Sequence, residues 1–131
     1  MGTGPSDTRD MISRSEAVSI VREYQSKFRL NHWDIDVHFT GQQDADAIGE
    51  CSAEPRYKSC SIFLNLDKAK SQDHLKRTVV HELFHLILSP YTSAATVFAG
   101  ERYSPILEDL EDSIITDIER WPLWTTLISS E

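Results

Sequence analysis

The chain of 131 residues is long enough to bury one hydrophobic core but not two. Its 40% apolar and 26% charged residues are ordinary for a globular protein, and a net charge of −8 without a dense Lys/Arg block argues against a nucleic-acid partner. No apolar run approaches the roughly 20 residues of a membrane-spanning helix, so no membrane partner is expected.

The first residues are polar and lack the apolar core of a secretory signal. Residues 1–12 are expected to be a disordered lead-in to a single domain over 13–131, in a cytoplasmic setting. From Ser13 to about Leu30, Val18, Val21, Tyr24 and Phe28 recur at helical spacing, and Ser13 with Glu16 has the spacing of a capping box. Trp33 to Phe39 alternates apolar and polar residues, as a half-buried strand does. Gly41–Ala47 reads as a loop, followed by strand-like stretches over about 47–53 and 57–66, with turn chemistry in Glu54-Pro55-Arg56. Cys51 and Cys60 lie symmetrically about that turn, so a tight hairpin sets them opposite each other. A cytosol-like compartment favours two reduced thiols over a cross-strand disulfide.

Ser71 or Asp73 caps the next helix, which is expected to run to about Leu88 and stop before Ser89-Pro90. Tyr91–Ser104 reads as a long loop overhanging that helix, and a last helix runs from about Pro105 to Arg120 before Trp121-Pro122 breaks it. Helix, three strands, helix, loop, helix predicts an α+β domain with a small, mainly antiparallel three-stranded sheet.

Chemistry enters at His81-Glu82-Leu83-Phe84-His85, an H-E-x-x-H motif inside the second helix. Residues four apart share a helix face, so both imidazoles can grip one Zn²⁺. Glu82 comes round beside the metal, placed to take a proton from a water that the metal activates. His74, two turns before His81, and His32 and His38 at the first strand read as surface or structural residues. Tyr91 and Tyr103 read as ordinary loop tyrosines beside the site.

A catalytic zinc site takes three protein ligands and keeps one open position. No histidine follows His85, which leaves the carboxylates of the last helix: Glu108, Asp109, Glu111, Asp112, Asp117 and Glu119. The apolar face of that helix is set by Leu107, Leu110, Ile114, Ile115 and Ile118. At about 100° per residue Glu111 falls inside the apolar arc, Glu108 just past its edge, and Asp109 and Asp112 point well away. A carboxylate within a core-facing stripe is costly unless paired, and zinc would pair it. Glu111 is therefore the expected third ligand, with Glu108 in reserve; were Glu108 the ligand, Asp112 four residues on would orient a ligand histidine.

The strand Trp33-x-Ile35-x-Val37, the hairpin with Tyr57, the His81–His85 helix and the Glu111 helix together resemble a minimal gluzincin, the zinc-peptidase class in which a downstream glutamate completes H-E-x-x-H. The chain is similar to small metallopeptidase-like proteins of phages and prophages and to the catalytic domain of the ImmA/IrrE type. In that pattern the ligand glutamate opens a helix that stops at a proline, and the spacing of Glu111 and Pro122 matches, which prefers Glu111 over Glu108. Two positions depart from it: Ser113 stands where the pattern has an asparagine-like residue, and Asp112 where it has a small one. No helix-turn-helix partner is visible, so the resemblance does not extend to repressor cleavage. It implies a zincin-like fold and a Zn²⁺-dependent metallopeptidase, with His81, His85 and Glu111 as ligands and Glu82 as general base acting on a peptide or protein substrate. A non-catalytic zinc-binding interaction or assembly module is the rival reading.

Overall fold

The computed structural model describes residues 12–39 and 48–120; the lead-in up to Met11, the loop Gly41–Ala47 and the break at Trp121-Pro122 lie outside them. Helix α1 (Arg14–Lys27) starts on the expected capping box. The Ser13 hydroxyl accepts from the Glu16 N–H at 3.1 Å, and Glu16 Oε1 accepts from the Ser13 N–H at 2.9 Å. Its inner face is Ala17, Ile20, Val21 and Tyr24, joined by the buried amide of Gln25. That amide donates to the carbonyls of Leu30 (3.1 Å) and Trp33 (3.0 Å), fixing the turn that leads into the sheet.

The sheet comprises β1 (Asp34–Phe39), β2 (Gly49–Glu54) and β3 (Ser59–Leu64) in the order β1-β3-β2. β3 runs parallel to β1, from Asp34↔Ser59 to Phe39↔Leu64, and antiparallel to β2, from Gly49↔Leu64 to Glu54↔Ser59. The sheet is therefore mixed rather than mainly antiparallel. Alternation along a strand says which face is buried, but not which neighbour it pairs with. β3 takes the centre because Cys60, Ile62 and Leu64 are all buried, whereas β2 (Gly-Glu-Cys-Ser-Ala-Glu) is polar enough to serve as an edge. A 3₁₀ turn at Pro55–Tyr57, closed by Lys58 at φ 54°, joins β2 to β3.

Helix α2 (Gln72–Ala99) crosses the sheet, burying Leu75, Val79, Val80, Leu83 and Leu86, while Phe84 packs its ring 5.6 Å from that of Phe28. It does not stop at Leu88: it continues through Pro90, so the expected loop over Tyr91–Ser104 is mostly helix. Proline cannot donate to the carbonyl four residues back, which is that of Leu86. The Ser89 hydroxyl donates to that carbonyl instead, at 2.7 Å, and so removes the main penalty for continuing. The helix ends at Gly100, whose φ of 101° suits glycine. Helix α3 (Ser104–Glu119) then packs back along α2.

These three helices and three strands form an α+β fold, and none of the described helices is long and apolar enough to cross a membrane. β2 comes close to α2 at Gly49. A methyl group there would lie 2.6 Å from Thr78 Cγ2 and 3.4 Å from Glu82 Cγ, so only glycine lets the edge strand settle beside the H-E-x-x-H turn.

Candidate metal centre

His81 and His85 stand one turn apart on α2, their ring centroids 5.0 Å apart and the planes at 68°. Both imidazoles are gripped by carboxylates of α3. His81 Nδ1 lies 2.9 Å from Glu119 Oε2, and His85 Nδ1 lies 2.5 Å from Glu111 Oε1. The other nitrogen of His85, Nε2, lies 3.2 Å from Asp112 Oδ1. One ligand atom each from His81, His85 and Asp112 falls within 4.8 Å of the others, the only such three-residue group among the described residues. Bonds of about 2.1 Å in tetrahedral geometry put ligand atoms about 3.4 Å apart. The His85–Asp112 separation is already close to that, and two imidazoles with a carboxylate are a donor set that zinc accepts.

The placement of the α3 carboxylates follows from how the helix rolls. Ile115 is its one fully buried side chain, whereas Ile106, Leu110 and Ile114 are about half exposed. The inward line runs through Leu107, Glu111, Ile115 and Ile118, and the flank carrying Asp112 and Glu119 turns toward the histidines. Glu111 is inward as expected, its side chain 13% exposed, but both of its oxygens are engaged: Oε1 by His85 and Oε2 by the Thr92 hydroxyl, which donates to it. Asp112, expected to point away, instead faces Nε2 of His85. Glu108 is exposed on the cleft wall and is not part of the ligand group. Sequence reading missed Thr92, and it held Glu119 only as one of six candidate carboxylates. Thr92 follows His85 by seven residues, on the same helical face, and becomes visible only once α2 is allowed past Pro90.

Glu82 is 8% exposed. Burial raises its pKa above the usual carboxylate range, opposed by the neighbouring His85 and His81. It borders a cleft of about 640 Å³ lined by Gly49, Cys51 and Ala53 of β2, His85 of α2, and Glu108, Glu111 and Asp112 of α3. A smaller hollow of about 400 Å³ opens on its other side, between Ile48, Arg77, His81 and Glu119. Cys51 and Cys60 are free thiols with sulfurs 3.2 Å apart, set diagonally because Cys51 pairs with Ile62 and Cys60 with Ala53. A hydrogen bond with Cys60 and burial raise the Cys51 pKa well above the usual thiol range.

The remaining candidates lie apart from the ligand group. His74 Nδ1 accepts from the Lys70 N–H at 3.0 Å near the start of α2, and His38 stacks on Phe63 at 5.0 Å. His32 sits against Trp33, and the Arg102 guanidinium lies over the Tyr103 ring. Tyr91 borders an apolar groove with Leu88, Leu110 and Ile114, which Thr92 and Glu111 also line. Compared with models of known protein families, with curated proteins and with solved structures, the chain matches none.

Proposed function

We propose that this chain is a zinc-dependent peptidase of zincin-like architecture, with His81, His85 and Asp112 as ligands and Glu82 as general base. The observation that carries this reading is the convergence of those three ligand atoms in one turn of space, beside a buried carboxylate that faces an open cleft. Glu111 takes the place of an orienting group rather than the ligand expected from its position in the apolar arc, because its oxygens are committed to His85 Nδ1 and Thr92.

Bound zinc supplies a Lewis acid that polarises a carbonyl and makes a coordinated water more acidic. Glu82 accepts the proton of the attacking water and returns it to the departing amide nitrogen. Burial raises the pKa of that carboxyl and so makes it a stronger base than a solvated one, while the adjacent imidazoles of His85 and His81 oppose the shift. Asp112 and the two histidines fix where the attacked carbon must sit. Among the described residues β2 has a strand on one side only, so an extended peptide can add along its other edge and lie across Glu82, with main-chain hydrogen bonds holding its register.

Metal analysis beside peptide hydrolysis tests this reading. The wild type is expected to hold about one zinc per chain and to cleave an unfolded protein substrate such as casein. Glu82→Gln is expected to keep the metal and lose about 10²- to 10⁴-fold in rate. Asp112→Ala is expected to lose most of the zinc, Glu111→Ala part of it and Glu108→Ala none. If Asp112→Ala retains zinc as tightly as the wild type, Asp112 is not a ligand. Zinc bound without any turnover would leave the non-catalytic module as the better account.

A further inference from the structure

Helix α2 has three threonines whose hydroxyls divide into two kinds. Thr78 Oγ1 donates to the His74 carbonyl at 3.0 Å and Thr96 Oγ1 to the Thr92 carbonyl at 2.9 Å, each bonding back onto its own helix. Thr92 does otherwise. Its hydroxyl leaves the helix and donates to Glu111 Oε2 on α3. The other oxygen of that carboxylate meets His85 Nδ1 at 2.5 Å, and Nε2 of the same ring faces Asp112. Thr92, Glu111 and His85 thus form one chain of contacts ending at the candidate metal position.

We propose that Thr92 is a positioning residue for the metal centre: it fixes the Glu111 carboxylate, which in turn fixes the ring orientation and tautomer of His85 so that Nε2 presents its lone pair to the metal. The proposal rests on the zinc reading above. A carboxylate with both oxygens held cannot swing, and a histidine whose Nδ1–H is donated to it can ligate only through Nε2. Glu111, with its side chain 13% exposed, is sheltered enough for these contacts to persist. The arrangement depends on α2 continuing through Pro90, because a helix ending at Leu88 would not carry Thr92 to α3.

The experiment is a titration of metal-free protein with Co²⁺ and with Zn²⁺ against a chelator of known affinity, following the visible bands of bound cobalt. Thr92→Val removes the donor and keeps the shape; Thr92→Ser keeps the donor. Thr92→Val is expected to bind about 10-fold more weakly or worse and to show altered cobalt bands. Thr92→Ser is expected to stay within about threefold of the wild type. Circular dichroism checks the fold, with Thr92→Ala as a second donor-less variant should the valine fail to pack. Wild type that binds neither ion defeats the metal reading itself. Wild type that binds, with Thr92→Val or Thr92→Ala equally tight, overturns the positioning role and leaves the centre standing. Equal weakening in Thr92→Ser and Thr92→Val also overturns it, since the hydroxyl would then not be what matters.

Discussion

Gly49→Ala offers a sharp test of how β2 is set against α2. The added methyl would lie 2.6 Å from Thr78 Cγ2, where an ordinary carbon–carbon contact needs about 3.5–4.0 Å, so roughly 1 Å of movement is required. Thr78 is buried and its hydroxyl is tied to the His74 carbonyl, which leaves its methyl little room to turn away. Overpacking of this kind costs about 1–3 kcal/mol, and at about 3–6 °C per kcal/mol the melting temperature should fall by roughly 3–18 °C. Because Glu82 Cγ lies 3.4 Å from the same methyl, that side chain should shift too; if the proposed function holds, hydrolysis should then fall further than stability alone explains. Thr78→Ser removes the clashing methyl but keeps the hydroxyl, at about 1 kcal/mol by itself. The double variant Gly49→Ala/Thr78→Ser should therefore be more stable than the sum of the two single effects. Denaturant unfolding of the four proteins at constant pH measures this coupling. Additive single effects, or a Gly49→Ala protein as stable as the wild type, would refute the close approach of the strand to this turn.

Two other perturbations have definite signs. Ser89→Ala should lower stability by about 1 kcal/mol, because the Leu86 carbonyl loses its hydroxyl donor and Pro90 has no N–H to replace it; thermal unfolding measures the loss. In metal-free protein, Glu82→Gln should be more stable than the wild type at neutral pH. The folded pKa of Glu82 is raised, so the wild type loses stability relative to the glutamine variant as pH climbs above the unfolded carboxyl value, and the two converge below it. Denaturant unfolding at several pH values in the presence of a chelator checks this, and curves that diverge toward acid instead would show the sign to be wrong.

What could be read from sequence divides along physical lines. The α1 cap was legible because Ser13 and Glu16 satisfy each other locally, with no help from the rest of the fold. The alternation of β3 was legible too, but its parallel partner was not, since alternation shows which face is buried and not which strand lies alongside. Pro90 misled because the rule that proline ends a helix omits a neighbouring hydroxyl able to serve the stranded carbonyl. At the candidate site the H-E-x-x-H turn and the inward position of Glu111 were both visible. The approach of Asp112 to His85 was not. An apolar arc locates the buried side of an isolated helix, whereas α3 sits where Glu111, Asp112 and Glu119 meet two imidazoles, and it leaves Leu110 and Ile114 half exposed in doing so.

That roll gives α3 an unusual tether. A single fully buried side chain, Ile115, roots the helix, while its polar flank reaches both histidines of α2. A cation shared between Asp112 and those histidines would rivet the two helices together. Free metal in the surroundings would then set the lifetime of the folded chain as well as its chemistry, because binding to the folded form alone draws the equilibrium toward it. Chelation should loosen α3 before the sheet and α1, so a protease acting on chelated protein should cut first between Gly100 and Arg120.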